Sequence, residues 1–270
     1  MQRRHSLVTL ARRTLLAAGS NLATAIGLYP ALPHALLIAE RGRTLRAPVR
    51  TALAEIALSG VAAAARPLGH LPMPGHHGRG PRPIILVHGF AMNRANFWLL
   101  ARRLASAGLG PIYGFEYWTL GKAGVAAREL AAFVDEVRAA TGVAEVDVIG
   151  HSMGGLVARY YARFVGGDGV IRHLVTIGSP HGGTPASHFG VGAARKELLT
   201  GSALVARLAA APPLAHTQLL VIWSRGDALV PSTHEARIPG AEEIVYDDLG
   251  HLGLLTSRRV AADVIARLRP

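Results

Sequence analysis

From residue 83 onward, short apolar runs alternate with longer stretches of helical spacing. The runs at 83–87, 111–115, 146–150, 171–177, 219–223 and 243–246 are four to seven residues long and predict six strands. Apolar residues at helical spacing predict helices over 94–107, 123–141, 152–164 and 252–268. The strand candidates are apolar almost throughout rather than alternating. That pattern predicts a mostly parallel sheet with helices on both faces, an α/β architecture.

The first 80 residues follow a different rule. Arg3, Arg4, Arg12 and Arg13 precede a stretch of 26 residues, 14–39, that carries no charge, and Arg41, Arg43, Arg46 and Arg50 follow it. This stretch is long enough to cross a bilayer, which takes ~20 residues. Pro30 and Pro33 interrupt it, and arginines on both flanks leave its orientation open. A second apolar stretch, 51–65, is shorter and contains Glu55. Three arrangements fit: a membrane anchor or hairpin, helices lying in the lipid interface, or helices packed on the rest of the chain. Residues 67–83 are rich in Pro and Gly and read as a linker. The expected organisation is therefore an apolar, Arg-rich segment with apolar helices over 1–80, separable from a globular domain over 81–270.

Charge sharpens this division. The net charge is +12, and residues 1–80 carry +8 of it, ten arginines against two glutamates. The excess lies beside apolar segments and lacks aromatic interleaving or a recognition-helix pattern, which argues against a nucleic-acid partner. An anionic membrane surface is the partner that fits. Cysteine is absent, which removes disulfides, thiolate metal ligands and a cysteine nucleophile.

The candidate chemistry starts at Gly150-His151-Ser152-Met153-Gly154. A strand candidate precedes it and a helix candidate follows, the context in which a G-x-S-x-G turn presents its serine at the carboxyl edge of a sheet. A serine hydroxyl needs a base. His251 stands in a loop between the last strand candidate and the terminal helix, and His88, His151 and His181 also follow strand candidates. The base needs a carboxylate to hold its tautomer. Asp227 lies just past the fifth strand candidate, which favours it over Asp247 and Asp248, close before His251. The backbone N–H groups of Phe90, after the first strand, and of Met153 are the candidate oxyanion donors. His70, His76 and His77 sit in the linker without the spacing of a metal site, so neither a metal nor a cofactor is expected.

The stretches PIILVHGF, VIGHSMGGLVARYYA, VTIGSPHGGTP, RGDALVP and GHLGLL, in this order, resemble bacterial lipases and esterases of the α/β-hydrolase fold. The likeness covers about residues 82–270. It implies Ser152 as nucleophile, Asp227 as acid, His251 as base, and hydrolysis of carboxylic esters, with a lipid or small ester as substrate. A thioesterase or acyltransferase would use the same triad. A non-catalytic homologue that docks on membranes is the reading from another class, and the complete residue set speaks against it. Comparison with membrane-linked relatives implies a bacterial protein that is membrane-associated or else secreted or periplasmic. The calcium site of many larger bacterial lipases has no counterpart cage here. Residues 186–213, with helical spacing at Leu198, Leu199, Leu204, Val205 and Leu208, are either a small lid or a structural excursion between strands.

Overall fold

The computed structural model describes residues 46–189, 192–230 and 233–269. The charge-free stretch 14–39 lies outside them. Among the described residues no helix is long and apolar enough to cross a membrane.

All six expected strands form: β1 (Ile84–Val87), β2 (Ile112–Phe115), β3 (Val146–His151), β4 (Ile171–Ile177), β5 (Gln218–Ser224) and β6 (Glu242–Tyr246). They pair in parallel in the order β2-β1-β3-β4-β5-β6. The four residues of β1 and the six of β3 are all buried, which explains their unbroken apolar runs. After β2 the chain crosses β1 and continues on its other side with β3. Crevices at the carboxyl ends of such a reversal are where ligands bind in open parallel sheets.

Helices cover both faces. On one side, α3 (Ala123–Thr141) and α4 (Met153–Phe164) bury Leu130, Val134, Leu156 and Val157 against the sheet. On the other, α2 (Trp98–Ser106) and the terminal helices bury Leu100, Leu104, Leu254 and Val264. A Leu or Val side chain removed from water contributes roughly 1.5–3 kcal/mol, so these two layers carry most of the stabilisation.

Three expected helices differ in their limits. Residues 94–97 form a 3₁₀ turn capped by Asn93, and α2 follows it. Ser152 precedes α4 instead of opening it. The single helix expected over 252–268 is two: α8 (His251–Thr256) and α9 (Arg258–Leu268). Ser257 breaks them, with an extended backbone and a side chain that accepts from the N–H groups of Arg259 and Val260.

The excursion over 186–213 contains a 3₁₀ turn (Pro185–Phe189), α5 (Gly192–Glu197) and α6 (Ala203–Ala209). Leu198, Leu204 and Leu208 are packed into the core beside α3 and α4, and Arg159 donates to the Leu208 carbonyl at 2.9 Å. A short helix α7 (Thr233–Ala236) precedes β6.

Before the sheet lies α1 (Arg46–Ala64), followed by a 3₁₀ turn over Arg66–His70. The stretch that reads as a linker is tied down. Arg94 donates to the Gly69 carbonyl at 2.5 Å, and the Ile112 N–H donates to the Gly75 carbonyl at 3.0 Å. Helix α1 buries Glu55 and leaves Leu53, Ile56 and Val61 exposed. The burial is thus the inverse of what its composition suggests.

Candidate active site

Strand register gathers the site. Val87 of β1 lies beside Gly150 of β3, and His151 lies beside Ile177 of β4. One or two residues further, at the carboxyl edge, come Gly89, Ser152 and Gly178. A side-chain carbon at Gly89 would stand 2.8 Å from the Ser152 Cβ, so the β1 loop passes directly against the serine.

Ser152 itself is strained, with φ 55° and ψ −127°. Such a backbone costs about 1–3 kcal/mol and persists only where its surroundings impose it. Here the Ser152 N–H donates to the Ile177 carbonyl at 2.9 Å, and strand and helix crowd from either side. A Cβ on Gly150 would come within 2.6 Å of the Gly155 Cα, and one on Gly154 within 2.0 Å of the Val87 carbonyl. The glycines of the motif are there because backbone meets backbone. The Met153 N–H then opens α4, where the helix end favours negative charge.

Asp227 and His251 form the second half. The His251 Nδ1 donates to Asp227 Oδ2 at 2.7 Å, and both side chains are buried. The other carboxylate oxygen, Oδ1, accepts from the N–H groups of Leu229 at 2.8 Å and Val230 at 3.1 Å. With Nδ1 committed as donor, the Nε2 of His251 is the nitrogen left to take a proton. Burial pulls the His251 pKa down, but the charge of Asp227, its hydrogen bond and the charge of Glu55 outweigh this, and the pKa is raised.

Gly178 makes room for the pair. Its φ of +56° suits glycine, and a Cβ there would stand 3.2 Å from Asp227 Oδ2 and 3.4 Å from His251 Nδ1. The buried hydroxyl of Ser224 accepts from the N–H groups of Gly226 and Leu249, at 3.1 and 3.3 Å. It ties the loop of Asp227 to the loop of His251.

The other candidates have different places. His151 packs beside His251 with the rings tilted, centroids 4.6 Å apart, and its Nε2 donates to the His251 carbonyl at 3.1 Å. Burial holds its pKa well below the usual value, which suits a neutral ring packed against His251. His181 bonds Thr176. His88 lies beneath the β1 loop, facing Glu116 at 3.3 Å. Asp247 and Asp248 are exposed and pair with Arg225 and Arg259. His173 pairs with Asp147 near the opposite end of the sheet.

The β1 loop carries Phe90 and then Ala91, whose φ of 54° is unusual for a residue with a side chain. Ala91 is held from two sides. Its N–H donates to Thr119 Oγ1 at 3.2 Å, and its carbonyl accepts both terminal nitrogens of Arg66, at 3.1 and 3.2 Å. Among the described residues no three His, Asp or Glu side chains gather as a metal site would require. A cavity of about 500 Å³ lies between α3, α4 and α6, lined by Lys122, Tyr160, Leu204 and Arg207, and is not lined by Ser152, Asp227 or His251.

A parallel sheet with a strained serine between β3 and α4, an acid after β5 and a histidine after β6 is a specific arrangement. The model of the alpha/beta hydrolase fold matches residues 82–201. The chain has the α/β-hydrolase fold. In sequence, the chain is similar to a triacylglycerol lipase of Pseudarthrobacter phenanthrenivorans, 35% identical over 117 residues, 40% of this chain and 35% of that protein. A triacylglycerol lipase of Burkholderia plantarii is likewise 35% identical over 117 residues, 40% of this chain and 32% of that one. The chain spans about a third of the length of the curated relatives it matches. In fold it is similar to the mature form of the Bacillus licheniformis lipase BlEst2, with a TM-score of 0.60, 17% identity, and coverage of 69% of this chain and 91% of that one.

Glu55, Arg66, Gly178 and Ser224 are the residues of the site that sequence reading missed. Glu55 left one faint sign, as one of two acids in a segment with ten arginines.

Proposed function

We propose that this protein hydrolyses carboxylic esters through an acyl-enzyme on Ser152. The observation that carries the proposal is the Asp227–His251 hydrogen bond, 2.7 Å and buried, beside the strained Ser152 turn. In this reading His251 Nε2 takes the hydroxyl proton as Ser152 attacks the ester carbonyl. The tetrahedral oxyanion forms beside the N–H groups of Phe90 and Met153. His251 then protonates the departing alcohol, and water repeats the cycle on the acyl-enzyme. Asp227 holds the histidine tautomer and stabilises the imidazolium. The triacylglycerol lipases among the relatives support a lipid ester as substrate.

We infer also that the N-terminal part faces a lipid surface. Leu53, Ile56 and Val61 are exposed on α1, next to arginine-rich flanks. Each basic residue near anionic headgroups would contribute ~1 kcal/mol.

Labelling with a fluorophosphonate, together with hydrolysis of p-nitrophenyl esters of rising acyl length, tests the chemistry. The wild-type chain labels and turns over, and Ser152→Ala does neither while remaining folded. A Ser152→Ala protein that keeps more than about a thousandth of the wild-type rate refutes the nucleophile.

A further inference from the structure

Glu55 is 1% exposed, although its neighbours on α1, Leu53 and Ile56, are 61% and 49% exposed. A helix that turns its one carboxylate inward and its apolar residues outward needs a reason, because a buried charge without partners is costly. The partners lie far along the chain. Glu55 Oε2 accepts from the Leu252 N–H at 2.8 Å, and Oε1 accepts from the Gly253 N–H at 2.7 Å. These are amides of the first turn of α8, and the residue that opens α8 is His251.

The surroundings are shaped around this carboxylate. A Cβ on Gly250 would come within 2.3 Å of the Glu55 Cγ, so only glycine before the histidine admits it. Both oxygens accept N–H groups, the pattern of an ionised carboxylate. Burial pushes the Glu55 pKa up, the two backbone hydrogen bonds and the charge of a protonated His251 oppose this, and Asp227 adds to the rise. The same N-terminal stretch reaches the other half of the site through Arg66, which holds the strained Ala91 carbonyl next to Phe90.

We propose that Glu55 is a positioning residue of the active site, fixing the first turn of α8 and thereby the place and orientation of His251. The inference rests on the reading of His251 as the general base. It makes the segment before the sheet part of the catalytic apparatus. The ionisable groups facing His251 are Asp227 from the β5 loop, Glu55 from α1 and His151 from the serine turn. Glu55 is the one of these that comes from the N-terminal segment. Its effects are two. It sets geometry through the amides, and it places a negative charge that favours protonated His251.

The test compares full-length wild type, Glu55→Gln and Glu55→Asp in kcat, KM, the acid limb of kcat/KM and the melting temperature, with a short p-nitrophenyl ester as substrate. Gln offers one acceptor where two amides need one each, and it removes the charge. Its kcat falls about 10- to 100-fold with KM little changed, the scale of a small misplacement of a reacting group. Its acid limb moves to lower pH. Asp keeps the charge but is one methylene shorter, so its acid limb stays in place while kcat falls. If Glu55→Gln does not fold, Glu55→Asp decides alone. A variant with wild-type kcat per folded molecule and an unmoved acid limb in Glu55→Gln, or wild-type kcat in Glu55→Asp, overturns the proposal. A wild-type protein that neither hydrolyses the ester nor takes the fluorophosphonate would instead refute the parent reading.

Discussion

Asp227 bonds His251 with one carboxylate oxygen and, with the other, the backbone of the turn that carries it. Asp227 is therefore fixed in rotation before it meets His251. Asp227→Asn changes little in shape. The Leu229 and Val230 amides demand an acceptor, so the asparagine oxygen faces them and its NH₂ faces His251. The histidine must then accept at Nδ1 and carry its proton on Nε2, where it cannot act as base. The expected loss in kcat is about 10³- to 10⁴-fold, with the fold retained. Asp247→Asn and Asp248→Asn, which break exposed ion pairs, leave kcat within a few-fold. Parallel kinetics on the three variants check this, and the reverse ranking would move the acid elsewhere.

Gly178 gives a prediction in which rate and stability separate. Gly178→Ala must hold a left-handed backbone, at about 1–2 kcal/mol, and its methyl touches both Asp227 and His251. The pair must shift to admit it. We expect kcat to fall tenfold or more, on the scale of a displaced catalytic group, while the melting temperature drops by only a few degrees. Steady-state kinetics beside a thermal melt measure both, and a variant with unaltered kcat would mean that the pair tolerates the intrusion.

The raised pKa of His251 has opposite consequences for rate and stability. The proposed mechanism needs the neutral imidazole, so kcat/KM is expected to rise with pH along an acid limb whose midpoint lies above the unperturbed histidine value of about 6.5. Stability runs the other way. A group whose folded pKa is raised contributes stability that is complete below its unfolded pKa and is lost as pH rises through the folded value. The melting temperature therefore falls through the same interval in which the rate climbs. Asp227→Asn, without the charge that raises the pKa, shows a flatter dependence there. A melting curve that tracks the rate upward through this interval would contradict the coupling.

How much of this was legible beforehand depended on sequence distance. The serine turn is contiguous, and strand, glycines and helix all lie within a few residues of Ser152. Asp227 and His251 were reachable because each follows an apolar run, and parallel strands present all such ends at one edge. Ser257 misled the reading of the last helix because its role as a cap outweighs the apolar spacing that runs through it. Glu55 was out of reach for a different reason. Its partner lies 197 residues away, and the segment around it is an apolar stretch in which a single carboxylate reads as the solvent-facing position. No local pattern encodes a contact of that kind.

Two truncations separate the parts played by the N-terminal residues. The sequence reads as separable at residue 80, yet a chain starting at Gly80 loses Glu55 from the first turn of α8 and Arg66 from the Ala91 carbonyl. The backbone N–H groups of Leu252 and Gly253 then lose buried acceptors, each worth about 1–3 kcal/mol when left unsatisfied. We expect this fragment to hydrolyse a short soluble ester far more slowly than the full chain, or to aggregate. A chain starting at Arg46 keeps both contacts and discards the charge-free stretch 14–39 with most of its arginine flanks. It should retain the full chain's rate on the short ester while sedimenting less with anionic liposomes. Liposome co-sedimentation and ester kinetics on the two fragments decide the matter. Full activity in the fragment from Gly80 would make the α1 contacts dispensable. Unchanged liposome binding in the fragment from Arg46 would assign the lipid-facing surface to residues after 45, where Leu53, Ile56 and Val61 stand exposed.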